Sequence, residues 1–438
     1  MTTPGDLAEL VTALDTASLL PRRRSVAAPR DAVVLCDALE LGEGLVLAVM
    51  RDRGGLMAAP LIARGGKPLR RAEPGEGAFE RVLGRLASGR DARRFSFAPV
   101  GTVPVATGER PIDVDQSNES VVVGERAVVK LYPRPVTEPG PDLLAHLLSV
   151  GFTSIPTPFG AVRWRDDEER HRVVATAAAY LPGARDGWEW YLARLLGWLD
   201  GAVDEEHVDA PAAALGRLAA QMHGALATAS SLVPSSTGTA DEACAQAWRL
   251  QARAVADEAL ALTDGAEGAR LAARTSAIGI ELDRLGQAVG AVITPVHGDF
   301  HVGQVLEWEG GHAVADFDGN PIASPGSGRS LDTPVRDVAA FVRSIDHLGR
   351  LASRRRQGRH AALTAWIASS RAGFLGAYVD ELAVLGQGHL FDERLLHPLE
   401  VAQACHEYVY AARFLPAWRP VADLAMCSLI PAEGREEA

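Results

Sequence analysis

The amino-acid sequence predicts a mixed α+β fold, with a strand-rich first part reaching to about residue 181 and a mostly helical remainder. Three observations carry that expectation. Short apolar runs at 32–38, 45–52 and 56–63, punctuated by the pairs Gly54-Gly55 and Gly65-Gly66, have the pattern of strands joined by tight turns. Windows rich in alanine and leucine at 192–203, 210–228, 239–262 and 267–289, with more after Val335, have high helix propensity. Within the helical part lies 295–321, PVHGDFHVGQVLEWEGGHAVADFDGNP; the apolar runs at 291–296 and 313–315, with Gly310-Gly311 between them, read as the arms of a β-hairpin. The 438 residues suffice for two or three domains, and the changes of pattern divide them into 1–93, 94–181 and 182–438.

Each element has its own local reason. In 1–93 the three strands and a helical stretch at 77–87 carry no catalytic constellation, so a structural or contact role is expected there. Val121-Val122-Val123, the turn Gly124-Glu125 and the run 127–131 then read as a hairpin in which Lys130 ends a β-branched run. A lysine in such a place is ordinarily a solvated strand residue. Ahead of it, Asp115-Gln116-Ser117-Asn118-Glu119-Ser120 offers backbone amides and hydroxyls. A helix at 141–148 follows, then a proline-bearing loop at 150–158 and two strands, 160–164 and 172–181, around the charged turn 166–170. Asp186-Gly187-Trp188-Glu189-Trp190 opens the helical part, its tryptophans suited to packing helices. The Gly-, Ser- and Pro-rich stretch 320–331 reads as a connection, either flexible or able to close over a substrate.

The segment 295–321 concentrates the chemistry. His297, Asp299, His301 and Gln304 stand on one side of its turn, Asp316 and Asp318 on the other. A carboxylate able to accept a hydroxyl proton, near hard oxygen donors able to hold Mg²⁺, is what phosphoryl transfer asks of a protein. Asp299 fits the first role, Gln304 and Asp316 the second. Asp and Gly in this density also mark plain surface turns. A transition-metal hydrolase using His297, Asp299 and His301, which alternate along one strand face, is a further reading, against which Gln304 would be an odd ligand.

HGDFHVGQVL followed by ADFDGNP resembles the catalytic and metal-binding loops of the aminoglycoside phosphotransferase-like kinases, in the branch of the actinobacterial maltokinases and their glucosamine kinase relatives. The resemblance implies a bilobal, protein-kinase-like α+β fold with an N-terminal cap domain, and ATP-dependent phosphorylation of a sugar. It implies Asp299 as catalytic base, Gln304 and Asp316 as Mg²⁺ ligands, Asp318 as an added contact to metal or sugar, and His301 beside the substrate. Lys130 matches the nucleotide-phosphate lysine of that family. The segment 115–120 is similar to its Q-S-N-x-S loop, which implies Ser117, Asn118 and Ser120 at the phosphates. Residues 178–180 resemble the hinge between lobes, where Ala178 and Tyr180 would meet the adenine. The acid that such kinases pair with the lysine aligns with Leu144, leaving Asp142 or His146 to substitute. Because of that gap, a pseudokinase binding module is another possibility. Asp337, in a segment resembling x-P-x-x-D-V-A, would brace the catalytic loop.

Sugar recognition is expected from 400–413, where Gln403, Glu407 and Tyr410 share a helix face at spacings of four and three. Glu407 is the candidate to receive a substrate ammonium, as an unneutralised carboxylate in a sheltered pocket, with Asp318 and Asp423 as lesser ones; the plainer reading is a salt bridge to Arg413. Trp418 offers a flat wall for a sugar ring. The pattern DFDGNP with HEYVYAAR is closer to the glucosamine branch, so glucosamine phosphorylated at its 6-hydroxyl is the expected reaction. Maltose phosphorylated at its anomeric hydroxyl comes next, and an aminoglycoside third.

Composition sets the remaining limits. Hydrophobic residues at 47% and charged ones at 23% describe a globular chain, and a net charge of −12 opposes nucleic-acid binding. Four scattered cysteines without a C-x-x-C are expected to be reduced thiols. Residues 1–15 have no basic start before an apolar core and no run reaches membrane-spanning length. A cytoplasmic enzyme, working without nucleic-acid or membrane partners, is the expectation.

Overall fold

A computed structural model describes residues 9–11, 14–20, 31–63, 68–112, 118–137, 140–319 and 331–431. Arg22-Arg23-Arg24, Gly65-Gly66, Asp115, Gln116, Ser117 and the stretch 320–330 lie outside the described residues. The described residues divide into two compact units, one within 1–148 and 155–183, the other within 149–154, 184–319 and 331–431.

The first unit begins with the short helix α1 (Thr16–Leu19) and a four-stranded antiparallel sheet, β1 (Val34–Gly42), β2 (Leu45–Asp52), β3 (Gly55–Ile62) and β4 (Arg70–Arg71). Alternation along β2 explains why this sheet is buried on both faces. Leu47 and Val49 enter one core with Phe79 and Leu83 of α2 (Ala78–Ser88), while Ala48 and Met50 face a second core with Val11, Leu19 and Leu61. The same unit holds a six-stranded sheet in the order β5-β9-β10-β8-β7-β6. Its strands are β5 (Phe95–Pro99), β6 (Glu109–Pro111), β7 (Glu119–Val123), β8 (Ala127–Val136), β9 (Pro158–Arg165) and β10 (His171–Ala179), with α3 (Gly140–Ser149) between β8 and β9. Phe95, Phe97, Val129 and Trp164 of this sheet share the core of Leu47 and Phe79. The Trp164 indole N–H also donates to buried Asp37 at 3.2 Å, fastening β9 to β1.

The second unit is helical: α4 (Gly187–Leu199), α5 (Glu205–Leu226), α6 (Glu242–Leu262), α7 (Gly265–Ala272), α8 (Thr275–Asp283), α9 (Val335–Arg355), α10 (His360–Val384), α11 (Leu396–Arg413) and α12 (Arg419–Leu429). Aspartates cap three of them. Asp186, Asp204 and Asp241 accept the backbone N–H groups of Glu189, His207 and Cys244 at 3.0, 2.9 and 2.8 Å. Two expectations about helices need correction. The helix expected at 210–228 starts at Glu205, because Asp204 caps it and Pro211 lies inside rather than at its start. The stretch 267–289 is not one helix; it is α7, α8 and a 3₁₀ turn, Arg284–Gln287.

Two small sheets complete this unit. The pair β11 (Gly238–Thr239) and β12 (Val292–Ile293) is antiparallel, as is the hairpin β13 (Val305–Trp308) and β14 (Gly311–Val314). The apolar run 291–296 therefore pairs with Gly238 and Thr239 and not with 313–315. An apolar run announces burial but leaves its partner strand open. No helix among the described residues is long and apolar enough to cross a membrane.

Candidate active site

The polar segment leaves β12, forms the 3₁₀ turn Val302–Gln304 and runs straight into β13, while Asp316 follows the end of β14. The hairpin thus brings back to each other two groups separated by twelve residues of sequence. Two bonds lock them there. His297 Nε2 is 2.9 Å from the Ala315 carbonyl, and the Ala315 N–H donates to the Gln304 carbonyl at 2.8 Å. His297 is fully buried, and burial holds it below the usual histidine range. Neutral, it carries its proton on Nε2 for Ala315 and leaves Nδ1 to accept the Asp299 N–H at 3.3 Å.

Asp337, at the start of α9, does the bracing expected of it. Its carboxylate accepts the His297 and Gly298 N–H groups at 2.7 and 2.9 Å. Asp316 adopts a left-handed backbone, φ +64°, a conformation that costs a non-glycine residue free energy and recurs at functional sites. Asp299 itself is 31% exposed at its side chain. Desolvation, then the charges of Asp316 and Asp337, push its carboxyl up to about 7, against a hydrogen bond from Gln304 that pulls it down. Asp299, Gln304 and Asp316 therefore occupy one electrostatic neighbourhood. Among the described residues no group of three or more His, Cys, Asp and Glu side chains is placed to hold a metal.

Next to Asp299 stands His301, whose Nδ1 accepts the Gly303 N–H at 3.0 Å. Burial pushes this imidazole down to about 4, so it is neutral with its proton on Nε2, 3.9 Å from Asp299 Oδ2. The turn is tightly backed by the start of α4. A Cβ on Gly303 would be driven into the Trp188 indole, and one on Gly187 into the Val302 carbonyl. That explains the glycines of D-G-W and V-G-Q: each permits an approach that any side chain would block. The Trp190 indole N–H then donates to the Val305 carbonyl at 3.1 Å.

From His301 an aromatic line continues across the unit. The Trp188 ring lies 5.9 Å from His301 and 6.1 Å, edge-on, from Trp418; Trp418 lies 5.4 Å, edge-on, from His347. His347 Nε2 then reaches Glu407 Oε2 at 2.9 Å. Glu407 is not the unneutralised carboxylate expected, since Arg343 also approaches Oε2 at 3.5 Å. Nor does it meet Arg413, which pairs with Glu258 instead; six residues along a helix turn the two side chains to different faces. Burial raises the Glu407 carboxyl, but His347 and Arg343 outweigh it and leave it below the usual range. Its other oxygen, Oε1, is buried and meets no hydrogen-bond donor among the described residues. Of the other residues on α11, Gln403 is half-buried, and Tyr410 is 43% exposed against the Phe414 ring. Asp318 is half-buried, and Asp423 accepts bonds from Tyr408 and Arg270.

In the first unit, Lys130 is half-buried on β8, paired in register with Ser120 on β7 and Thr176 on β10. Asn118 and Ser120 stand at the start of β7, where Glu119 forms a buried ion pair with Arg71. Asp142 pairs with Arg163 at 2.6 Å, and His146 is fully buried. Ala178 is aligned with Val128 and Pro158, and the Tyr180 N–H donates to the Arg126 carbonyl at 3.0 Å. Sequence reasoning missed Arg343 and His347 and read Trp188 only as packing. A stripe of Arg343, Asp346, His347 and Arg350 along α9 was the signal available.

A braced aspartate, a neighbouring amide and carboxylate, and a separate β-sheet unit with a strand lysine together make a kinase-like phosphotransferase. Residues 108–319 match the model of the phosphotransferase enzyme family. The chain is 41% identical to a glucosamine kinase of Streptacidiphilus jiangxiensis over 97% of its own length and 98% of that protein's. It is 34% identical to a glucosamine kinase of Mycolicibacterium smegmatis, over 90% and 98%. A solved glucosamine kinase in complex with glucosamine, ADP and inorganic phosphate superimposes with a TM-score of 0.81 at 38% identity, covering 98% of this chain and all of that one (100%). The chain belongs to the phosphotransferase enzyme family, among its glucosamine kinases.

Proposed function

We propose that this protein transfers the γ-phosphoryl group of ATP to the 6-hydroxyl of glucosamine. One observation carries the reading: the unbroken line of contacts from Asp299 through His301, Trp188, Trp418 and His347 to Glu407. It offers a base at one end, tryptophan rings set edge-on along the middle and, at the other end, a buried carboxylate paired with His347 and Arg343 whose second oxygen meets no donor among the described residues. Glucosamine carries both a hydroxymethyl group for the base and an ammonium able to serve as that missing donor. The glucosamine kinase names of the relatives point to the same sugar.

In the reaction, Asp299 orients the 6-hydroxyl and takes its proton as the oxygen bonds to the γ-phosphorus and the bond to the β-phosphate oxygen breaks, releasing ADP. Lys130 and the 117–120 segment hold the nucleotide phosphates, and the backbone at Ala178 and Tyr180 faces the adenine. Gln304 and Asp316 supply two hard oxygen donors beside Asp299, a set that fits Mg²⁺, which commonly takes one or two protein ligands and completes its shell with phosphates and water. When bound, that ion neutralises phosphate charge. Asp318 and Gln403 add polar contacts to the sugar, and Trp418 stacks or shields its ring. Residues 1–93 serve as a cap on the nucleotide-binding subdomain of 94–181, and 182–438 carries the acceptor site. A cytoplasmic setting, where ATP is abundant, suits this chemistry.

A coupled ADP-release assay across glucosamine, N-acetylglucosamine, glucose, maltose and kanamycin tests the reading. The expected result is turnover of glucosamine, little of N-acetylglucosamine, and loss of rate on chelation with recovery on adding Mg²⁺. Preference for maltose or kanamycin would overturn the substrate, and equal rates on glucosamine and its N-acetyl form would remove Glu407 from its role. Phosphorus-to-proton coupling in the product identifies the oxygen modified.

A further inference from the structure

Against Asp337 lies a buried chain of side chains from two other helices. His223 of α5 approaches Asp337 Oδ2 with Nε2 at 3.2 Å, and Tyr378 of α10 lies with its hydroxyl 2.8 Å from His223 Nδ1. His223 and Tyr378 are fully buried, and Asp337 is 1% exposed. The polarity of this chain follows from its members. A carboxylate only accepts, so His223 presents N–H at Nε2, and its Nδ1 is held by the Tyr378 hydroxyl. The His223 ring also meets Phe300 edge-on at 6.4 Å, and Phe300 follows Asp299 directly in the chain. One imidazole therefore contacts the support of the two residues before Asp299 and the ring of the residue after it.

We infer that His223, oriented by Tyr378, is a positioning residue that fixes the aim of Asp299 through Asp337 and Phe300. The inference rests on the functional reading above and deepens it by naming where the base acquires its geometry. With His223 in place, Asp337 has its carboxylate held by a third donor while it grips the His297 and Gly298 amides. Without that donor, the carboxylate is free to rotate about its own side-chain bond, and the two amides lose the fixed acceptors that hold the backbone ahead of Asp299. Because alignment supplies much of the acceleration in phosphoryl transfer, a small displacement of the base costs rate more than binding.

The experiment compares the full-length protein with His223→Leu, His223→Gln and Tyr378→Phe. The measurements are kcat and KM for glucosamine and for ATP, and hydrogen exchange of the peptide covering 296–300. Glutamine keeps an N–H near the position of Nε2, whereas leucine does not. The expected result for His223→Leu is a kcat about tenfold to a hundredfold lower with both KM values unchanged. Faster exchange at 296–300 should accompany it, and glutamine should restore most of both. Tyr378→Phe removes the hydroxyl that holds the ring at Nδ1 and leaves the imidazole freer to turn away from Asp337; it should lower kcat severalfold, again without moving KM. If His223→Leu fails to fold, the glutamine and phenylalanine variants decide: Tyr378→Phe with wild-type kcat and exchange overturns the inference. So does a folded His223→Leu with wild-type kcat, or one in which KM values rise in step and glutamine restores nothing, the mark of a general loss of structure. A wild-type protein that phosphorylates none of the sugars defeats the functional reading alone. The exchange data then still decide, since unchanged protection at 296–300 in His223→Leu sinks the positioning role and selective loss supports it.

Discussion

The catalytic segment and the Glu407 cluster belong to the same unit and end one line of contacts, yet they are built on different principles. Around Asp299 nearly every anchor is backbone: amides of His297 and Gly298 on Asp337, the Ala315 carbonyl on His297, the Gly303 amide on His301. Around Glu407 the partners are side chains, Arg343 and His347 from α9, with Asp346 and Arg350 behind them. The first construction fixes the path of a chain and leaves its carboxylate available. The second fixes a charge by neutralising it. The base of the proposed reaction must change protonation during turnover, whereas a carboxylate paired with Arg343 and His347 is held ionised, and the two designs follow that division.

The comparison is tested hardest by removing each carboxylate. Asp299→Asn should lower kcat by about a thousandfold or more, within the range of lost acid–base catalysis, while ATP binding measured by calorimetry stays intact. Its melting temperature should hold or rise, because a neutral amide no longer repels Asp316 and Asp337. A variant that turns over at near-normal rate would remove Asp299 as base. Glu407→Ala should fail in the opposite way. It removes one of the two carboxylates beside buried Arg343, leaving Asp346 as the other, and takes the acceptor from His347; the loss should fall at or below the low end of the about 3–5 kcal/mol of other broken buried pairs, read by urea denaturation. Were Glu407→Ala as stable as wild type but slow, and Asp299→Asn unstable, the division drawn here would be wrong.

The same contrast explains what could be read from sequence. The catalytic segment is nearly continuous, so H-G-D, the G-Q offset and D-F-D stand on one line of text, and the hairpin that closes them needs only a two-residue turn. The strands of the first unit were equally legible from alternation and glycine pairs. What failed was partnership over distance. Nothing in 291–296 names Gly238 and Thr239 as its neighbours, and nothing near Glu407 names Arg343 or His347, which precede it by 64 and 60 residues. His223 and Tyr378 were invisible for the same reason. A helical histidine among apolar residues reads as core until the carboxylate beside it is known.

Acid titration offers the finest discrimination, because Asp337 and Glu407 both have carboxyls held below their usual range for different reasons. In each, burial works against ionisation; His223 and the His297 amide overcome it for Asp337, His347 and Arg343 for Glu407. A carboxyl depressed in the folded state adds stability that is complete above the unfolded-state value, about 4, and disappears as pH falls through the folded value. Stability should therefore decline on acidification below about pH 4, and not between pH 5 and 8 on account of these two groups. Each group contributes at most about 1.4 kcal/mol per pH unit to the slope while it titrates. Glu407→Gln should remove that share and flatten the acid limb of a urea-denaturation series. If the slope is unchanged in Glu407→Gln, then Glu407 is not held ionised by its neighbours, and the claim that this region works by fixing a charge falls with it.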